Sequence, residues 1–138
     1  MARVVRSGGL AAAYVWDVVN CGGPSEAIII QMEEMGFPPP RAPKAEASTP
    51  EGLHALWTLA GFVDLEARVL RTRRTFDDFE DYWSTTIAAP NLASLLTTMA
   101  TADVTKLKSR VREQVPIEAS GRVSIEARAN AIVGRRPQ

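Results

Sequence analysis

The side chains best placed to contact a ligand follow an apolar segment near the start of the chain. Residues 10–16 include no charged side chain, a composition typical of a parallel strand covered on both faces. Tyr14, Trp16 and Asp17 stand at the carboxyl end of this predicted strand, where open α/β sheets bind their ligands. The alternative is that alternate members of the set pack against neighbouring helices. We therefore treat these three residues as candidates for contact with a substrate.

A second group of aromatic side chains falls in the segment 76–83. Tyr82 and Trp83 lie three and four positions after Phe79, so the three residues share one side of a predicted helix. An aromatic lid over a substrate would use such a face, but a buried helix face has the same spacing. Tyr82 and Trp83 are therefore further substrate-side candidates.

Acidic side chains are concentrated in the same segment, at Asp77, Asp78, Glu80 and Asp81. A metal site or a general base would need carboxylates of this kind. Acids in the first turn of a helix are explained more simply by the helix dipole. Asp77 and Glu80 also have the spacing of a capping box. The segment thus predicts a helix start and indicates no metal site.

Two further reactive side chains have simple structural interpretations. His54 is the only histidine, and the spacing places no acid or cysteine beside it, so a surface or half-packed position is favoured over a general base. Cys21 is the only cysteine, which excludes an internal disulfide and fits a reducing compartment. Neither residue is a predicted catalytic group.

Composition limits the classes of partner. Sixteen basic and sixteen acidic residues cancel, so no long-range field recruits nucleic acid or an anionic membrane. Hydrophobic residues make up 46% of the chain, which favours a packed globule over disorder. No apolar run reaches the length that spans a bilayer. We expect a soluble, cytoplasmic protein that binds neither nucleic acid nor a membrane.

Local signals and periodicity predict the elements between these candidates. Thr49, Pro50 and Glu51 have the features of a helix start, and Gly61 ends that helix, with Phe62 folding back on it. Alternating apolar and polar residues predict half-solvated strands over residues 63–70 and 121–133. These strands are expected to form an antiparallel pair, joined by helices within residues 77–115. The sequence therefore predicts an α/β fold.

Several short motifs resemble the C-terminal half of a class I S-adenosylmethionine-dependent methyltransferase of the small-molecule type. The resemblance covers essentially the whole chain. The matching segments are Arg3-Val4-Val5-Arg6-Ser7-Gly8-Gly9, similar to the family's R-V-L-R/K-P-G-G turn, Tyr14-Val15-Trp16-Asp17, similar to the end of its fifth strand, Ala60-Gly61-Phe62, similar to the start of its sixth, Phe76-Asp77-Asp78-Phe79-Glu80-Asp81-Tyr82-Trp83, and Gly134-Arg135.

The resemblance implies a partial Rossmann-like fold. Residues 1–138 would be the C-terminal part of a single methyltransferase domain, with a helical insertion at about 77–115 and a final antiparallel pair of strands on an otherwise parallel sheet. It also implies S-adenosylmethionine as the cofactor and a small-molecule methyl acceptor. The family's glycine-rich loop is not found among the nine glycines. No residue is therefore assigned to cofactor binding, and we expect the chain to be inactive alone.

Two alternatives remain open from the residues themselves. The chain could be a non-catalytic truncated remnant of such an enzyme. It could instead be a small binding or dimerisation module that pairs the edge of strand 10–16 with another chain, since an unpaired apolar strand edge is a template for such pairing.

Overall fold

The computed structural model describes residues 3–40 and 43–138, and these fall into two compact units. The first unit comprises the described residues up to Gly23, residues 43–72 and Ala127–Gln138. The second unit comprises residues 24–40 and 73–126. The strands are β1 (Leu10–Trp16), β2 (Val63–Phe76) and β3 (Val123–Arg135), and the α-helices are α1 (Glu26–Glu34), α2 (Pro50–Leu59), α3 (Phe79–Ile87), α4 (Pro90–Leu96) and α5 (Thr101–Gln114).

The three strands form one sheet in the order β1-β3-β2. Along the β2–β3 pair, the residue numbers on β3 decrease as those on β2 increase. In the first unit Asp64 pairs with Arg135 at 3.6 Å, and in the second unit the hydroxyls of Thr75 and Ser124 are 3.1 Å apart. This antiparallel arrangement confirms the predicted pairing of the two alternating segments, each slightly longer or displaced relative to its predicted bounds.

The prediction that β1 is a buried parallel strand is wrong. β1 pairs antiparallel with β3, from Leu10 opposite Arg135 to Trp16 opposite Ala129, and its residues alternate between exposed and half-buried. The side chain of Tyr14 is on the exposed face and that of Ala13 on the half-buried face. Residues on both faces of β1 are apolar, so no alternation of apolar and polar residues marked the exposed face.

Helix α2 begins where its local signals predict. The Thr49 hydroxyl accepts a hydrogen bond from the Gly52 amide at 3.0 Å, which satisfies one of the free N–H groups at the helix start. Pro50 occupies the first helical position, where the missing proline donor costs nothing.

The end of α2 also forms as predicted and contributes to the core of the first unit. Gly61 has a φ of +82°, a conformation that glycine adopts without strain. The rings of Trp57 and Phe62 are then 4.7 Å apart. Together with Leu53 and Ile132 they form the hydrophobic core of this unit. α2 therefore packs on the face of the sheet that carries Ile132.

The second unit has its own core among its helices. Tyr82, Ile28, Met32 and Leu107 are fully buried there. Helix α5 is joined to α1 by Arg110, whose guanidinium lies 2.6 Å from Gln31 and from Glu34. The helices predicted within residues 77–115 are thus present as α3, α4 and α5, within this unit.

The cap of α3 lies one residue later than the spacing of Asp77 and Glu80 predicts. The Asp78 carboxylate accepts a hydrogen bond from the Asp81 amide at 2.9 Å, and the Asp81 carboxylate accepts one from the Asp77 amide at 3.1 Å. With four acids in five positions, either Asp77 or Asp78 could be the N-cap residue of the helix. The structure uses Asp78, which leaves the Glu80 carboxylate available for an ion pair with Lys108 at 2.5 Å.

Candidate functional site

The five predicted substrate-side residues divide between the two units. Tyr14, Trp16 and Asp17 belong to the first unit, and Tyr82 and Trp83 belong to the second. Tyr14 is 71% exposed and Trp16 is 37% exposed, whereas Asp17 is only 3% exposed. At the end of β1 the structure therefore places two accessible aromatic side chains shortly before a buried carboxylate.

Tyr82 and Trp83 are part of the hydrophobic core of the second unit. The Phe76 ring meets the Tyr82 ring edge-on at a centroid distance of 5.4 Å, and Phe79 stacks on Trp83 at 6.4 Å. This is the buried helix face that the spacing also allowed. Burial raises the pKa of Tyr82 to about 12, so its hydroxyl stays protonated. A role toward a substrate for either residue stays a prediction.

Asp17 is fixed by a dense set of donors at the end of β1. The Asn20 backbone amide donates to its Oδ1 at 3.1 Å, and the Asn20 side-chain amide donates at 3.0 Å. The Arg128 guanidinium lies 3.0 Å from Oδ2 and also donates to the Asn20 carbonyl at 3.1 Å. Both carboxylate oxygens are therefore occupied, and the turn that follows β1 is tied to β3.

The electrostatics of this site favour the ionised carboxylate. Burial by itself raises the pKa of Asp17, but the Asn130 amide, the Asn20 donors and the Arg128 charge outweigh it and hold the pKa below its usual value. A general base that takes a proton near neutral pH needs a pKa closer to the working pH. Asp17 is thus suited to holding structure and not to proton transfer.

Asn130 and Ser48 complete the polar site, and the sequence did not single them out. Asn130 is 1% exposed and Ser48 is 4% exposed, and the Asn130 side-chain amide donates to the Ser48 carbonyl at 2.7 Å. Among the described residues, Asn130 Oδ1, Ser48 Oγ and Arg128 Nε have no hydrogen-bond partner. The polar cluster of Asp17, Asn20, Ser48, Arg128 and Asn130 therefore retains unused hydrogen-bonding capacity.

The alternation of β3 hid Asn130 because both faces of the strand are buried around this residue. The odd-numbered Val123, Ala127 and Ala129 are buried, as the alternation predicts, but the even-numbered Asn130 and Ile132 are buried as well. Because the even-numbered positions of β3 are mostly polar, the sequence predicted that Asn130 is exposed to solvent. The available signal was Ile132, an apolar residue on the otherwise polar side of the strand.

The glycines near this site do not provide a cradle for a nucleotide cofactor. A Cβ at Gly22 would come within 2.8 Å of the Arg128 carbonyl oxygen. The Arg128 amide donates to the Gly22 carbonyl at 2.7 Å, so the space beside this glycine is filled by the chain's own backbone. Gly22 therefore does not serve as a glycine that lets a phosphate-bearing cofactor approach the backbone.

The remaining reactive side chains lie at the surface. His54 is exposed, and Cys21 is exposed as well. Among the residues that the structure describes, no group of three or more histidine, cysteine, aspartate or glutamate side chains is placed to hold a metal ion. No helix in that part of the chain is long and apolar enough to cross a membrane.

Comparison with known proteins gives a structural similarity only. No family model matches the sequence, and no curated protein matches it. One solved structure that is similar is a "putative methyltransferase" from Bacillus halodurans C-125, with 17% sequence identity and a TM-score of 0.44. The match covers 99% of this chain and 55% of that chain, so this chain spans about half the length of that protein.

Proposed function

We propose that this chain is the substrate-side portion of an S-adenosylmethionine-dependent methyltransferase that acts on a small molecule. The proposal starts from the sequence motifs, whose order matches the C-terminal half of that family. The fold is compatible with it, since the resemblance implied a final antiparallel pair of strands and β2 and β3 are antiparallel neighbours.

One observation carries the proposal: the short motifs fall at the ends of strands in a single sheet. The segment 14–17 closes β1, the segment 60–62 leads into β2, and Gly134-Arg135 closes β3. Motifs that matched by chance would have no reason to occupy these positions.

Within this proposal the residues at the end of β1 have separate roles. Asp17, engaged by Asn20 and Arg128, holds the turn in place. The accessible aromatic side chains of Tyr14 and Trp16 would contact the methyl acceptor. S-adenosylmethionine supplies the methyl group when bound, and the residues that hold it would be outside this chain.

The proposal is tested by two measurements on the methyl donor. Calorimetric titration of the 138-residue chain with S-adenosylmethionine is expected to show no binding at micromolar concentrations. The genomic DNA upstream of the first codon is expected to encode, in frame, a strand followed by a G-x-G-x-G loop, and the extended protein is expected to bind the donor. Micromolar binding by the chain alone, or an upstream region that encodes no such loop, would contradict the proposal.

A second candidate function is a dimerisation module that uses the edge of β1. The observation in its favour is that β1 has β3 on one side and no strand on the other among the described residues. Its seven residues contain neither charge nor proline, the usual protections of such an edge. Sedimentation equilibrium that gives a stable dimer, abolished by Ala12→Pro but retained by Val69→Pro, would favour this function over methyl transfer.

A further inference from the structure

A cavity in the first unit lies at the end of the sheet where β1 begins and β3 ends. Its volume is about 470 Å³, and Arg3, Ser7 and Arg136 are among its lining residues. The antiparallel pairing of Leu10 with Arg135 brings the segment before β1 beside the segment after β3, so the fold gathers two arginines from opposite ends of the chain. None of the five substrate-side candidates lines this cavity.

The two arginine side chains give the cavity a positive charge. Arg3 has no hydrogen-bond or ion-pair partner among the residues that the structure describes. The Arg136 guanidinium donates to the Val5 carbonyl, and within the described chain neither an aspartate nor a glutamate lines the cavity. The carboxylate that ends the 138-residue chain belongs to Gln138, another lining residue, and it forms no ion pair with either arginine. Positive charge is therefore in excess.

Side chains would bind a ligand in this cavity, because the nearby backbone amides already have partners. The Gly8 amide donates to the Arg136 carbonyl at 2.9 Å. The Gly61 amide donates to the Thr58 carbonyl at 3.0 Å. The Ser7 hydroxyl has no hydrogen-bond partner in the part of the chain that the structure describes, so it can donate to a ligand. The available donors are thus two guanidinium groups and one hydroxyl.

The carboxyl end of α2 gives a simpler reason for the two arginines. Ala60 and Gly61, which follow the helix, also line the cavity, and the partial negative charge of a helix end favours nearby cations. That charge is only about half an elementary charge, so it does not balance two guanidinium groups. An anion from solution can supply the remainder.

We propose that this cavity binds a phosphate dianion, either as free phosphate or as the phosphate group of a small organic molecule. Arg3 and Arg136 donate to its oxygens, and the Ser7 hydroxyl donates a further hydrogen bond. The planar fork of arginine matches two phosphate oxygens at once, and two guanidinium groups match the charge of a dianion. The volume is within the range of small-molecule sites. The inference goes beyond methyl transfer and does not depend on it, because binding here requires no methyl donor.

The test titrates inorganic phosphate, glycerol 3-phosphate and acetate into the full 138-residue chain at constant ionic strength, and amide chemical shifts report binding. Both phosphates are expected to give saturable shifts around Ser7 and Gly61, with a Kd of about 1 mM or tighter. Acetate carries one charge and is expected to bind at least about tenfold more weakly. Equal affinity for the two phosphates would identify free phosphate as the ligand. Tighter binding of the ester would show that its organic part also makes contacts.

Variants locate the binding on the structure. Arg3→Gln breaks no contact within the described residues, and it is expected to weaken phosphate binding about tenfold. Ser7→Ala is expected to weaken it about threefold. Arg6→Gln is the matched control, because it removes the same charge from the same segment at a residue that does not line the cavity; its Kd should change less than about twofold. A chain extended by two glycines, which moves the terminal carboxylate away, should bind phosphate at least as tightly as the unaltered chain.

Several results would overturn the inference. Shifts that never saturate, equal affinity for acetate, or weaker binding by the extended chain would each exclude a phosphate site here. Equal weakening in Arg3→Gln and Arg6→Gln would show a diffuse attraction by positive charge in place of a site. Unchanged phosphate binding in Arg3→Gln, together with a lower thermal stability, would show that this arginine only stabilises the end of α2. Failure here would leave the methyl-donor measurements unaffected, so the two proposals are tested separately.

Discussion

At the scale of single residues, Asp17, a predicted ligand contact, is held by hydrogen bonds and an ion pair from its own chain. Its carboxylate is 4% exposed and the Arg128 side chain is 32% exposed, so the pair is partly shielded from water. Asp17→Asn leaves the Arg128 charge without its partner, and we expect a loss of about 2 kcal/mol in the free energy of unfolding. Urea denaturation measures this loss. Asp64→Asn, which breaks an exposed pair, is the control and should change stability by less than about 0.5 kcal/mol.

The depressed pKa of Asp17 predicts a specific dependence of stability on acid. Because the pKa is lower in the folded chain than in the unfolded chain, the ionised carboxylate stabilises the fold above the unfolded pKa. That contribution is lost as the pH falls through the folded pKa. The free energy of unfolding, measured by urea denaturation between pH 6 and about pH 3, should therefore fall more steeply with decreasing pH in the unaltered chain than in Asp17→Asn. Parallel pH profiles for the two proteins would show that the carboxylate is not linked to folding.

Tyr82 carries a buried hydroxyl that has no hydrogen-bond partner among the described residues. Burying an unpaired hydroxyl costs free energy, so Tyr82→Phe is expected to leave the free energy of unfolding unchanged or to raise it by about 1 kcal/mol. Thermal and urea denaturation report the change. Tyr14→Phe removes an exposed hydroxyl and should have no effect. A loss of stability in Tyr82→Phe alone would reveal a hydrogen bond to this hydroxyl in solution.

At the scale of elements, the features set by neighbouring residues were predicted well. The cap at Thr49 and the glycine stop at Gly61 depend on a few adjacent positions, and both formed as predicted. The cap of α3 was misplaced by one residue because Asp77 and Asp78 compete for the same role. The parallel setting of β1 was wrong, because the pairing of a strand depends on distant residues that its own composition does not identify. The buried position of Asn130 was also missed, because its burial depends on residues distant in the sequence, such as Ser48.

The cap of α2 can be tested directly. Thr49→Ala removes the acceptor for the Gly52 amide, and we expect a loss of about 1 kcal/mol in the free energy of unfolding. The matched control is Thr58→Ala, because the Thr58 hydroxyl bonds only a carbonyl within the helix, at His54, and alanine is the better helix former. Urea denaturation of both variants separates capping from propensity. Equal losses would show that the Thr49 hydroxyl contributes no specific capping.

At the scale of the whole molecule, the open edge and exposed face of β1 combine with a net charge of zero, and both conditions favour self-association. Ala12→Lys places a charge on the exposed face of β1, whereas Thr105→Lys adds the same charge at an exposed position on α5. Light scattering over a concentration series should show that Ala12→Lys suppresses association much more than Thr105→Lys does. The free energy of unfolding should change by no more than about 0.5 kcal/mol in either variant, since both positions are exposed. Equal suppression by the two variants would mean that net charge controls association, and the edge of β1 would then have no special part in it.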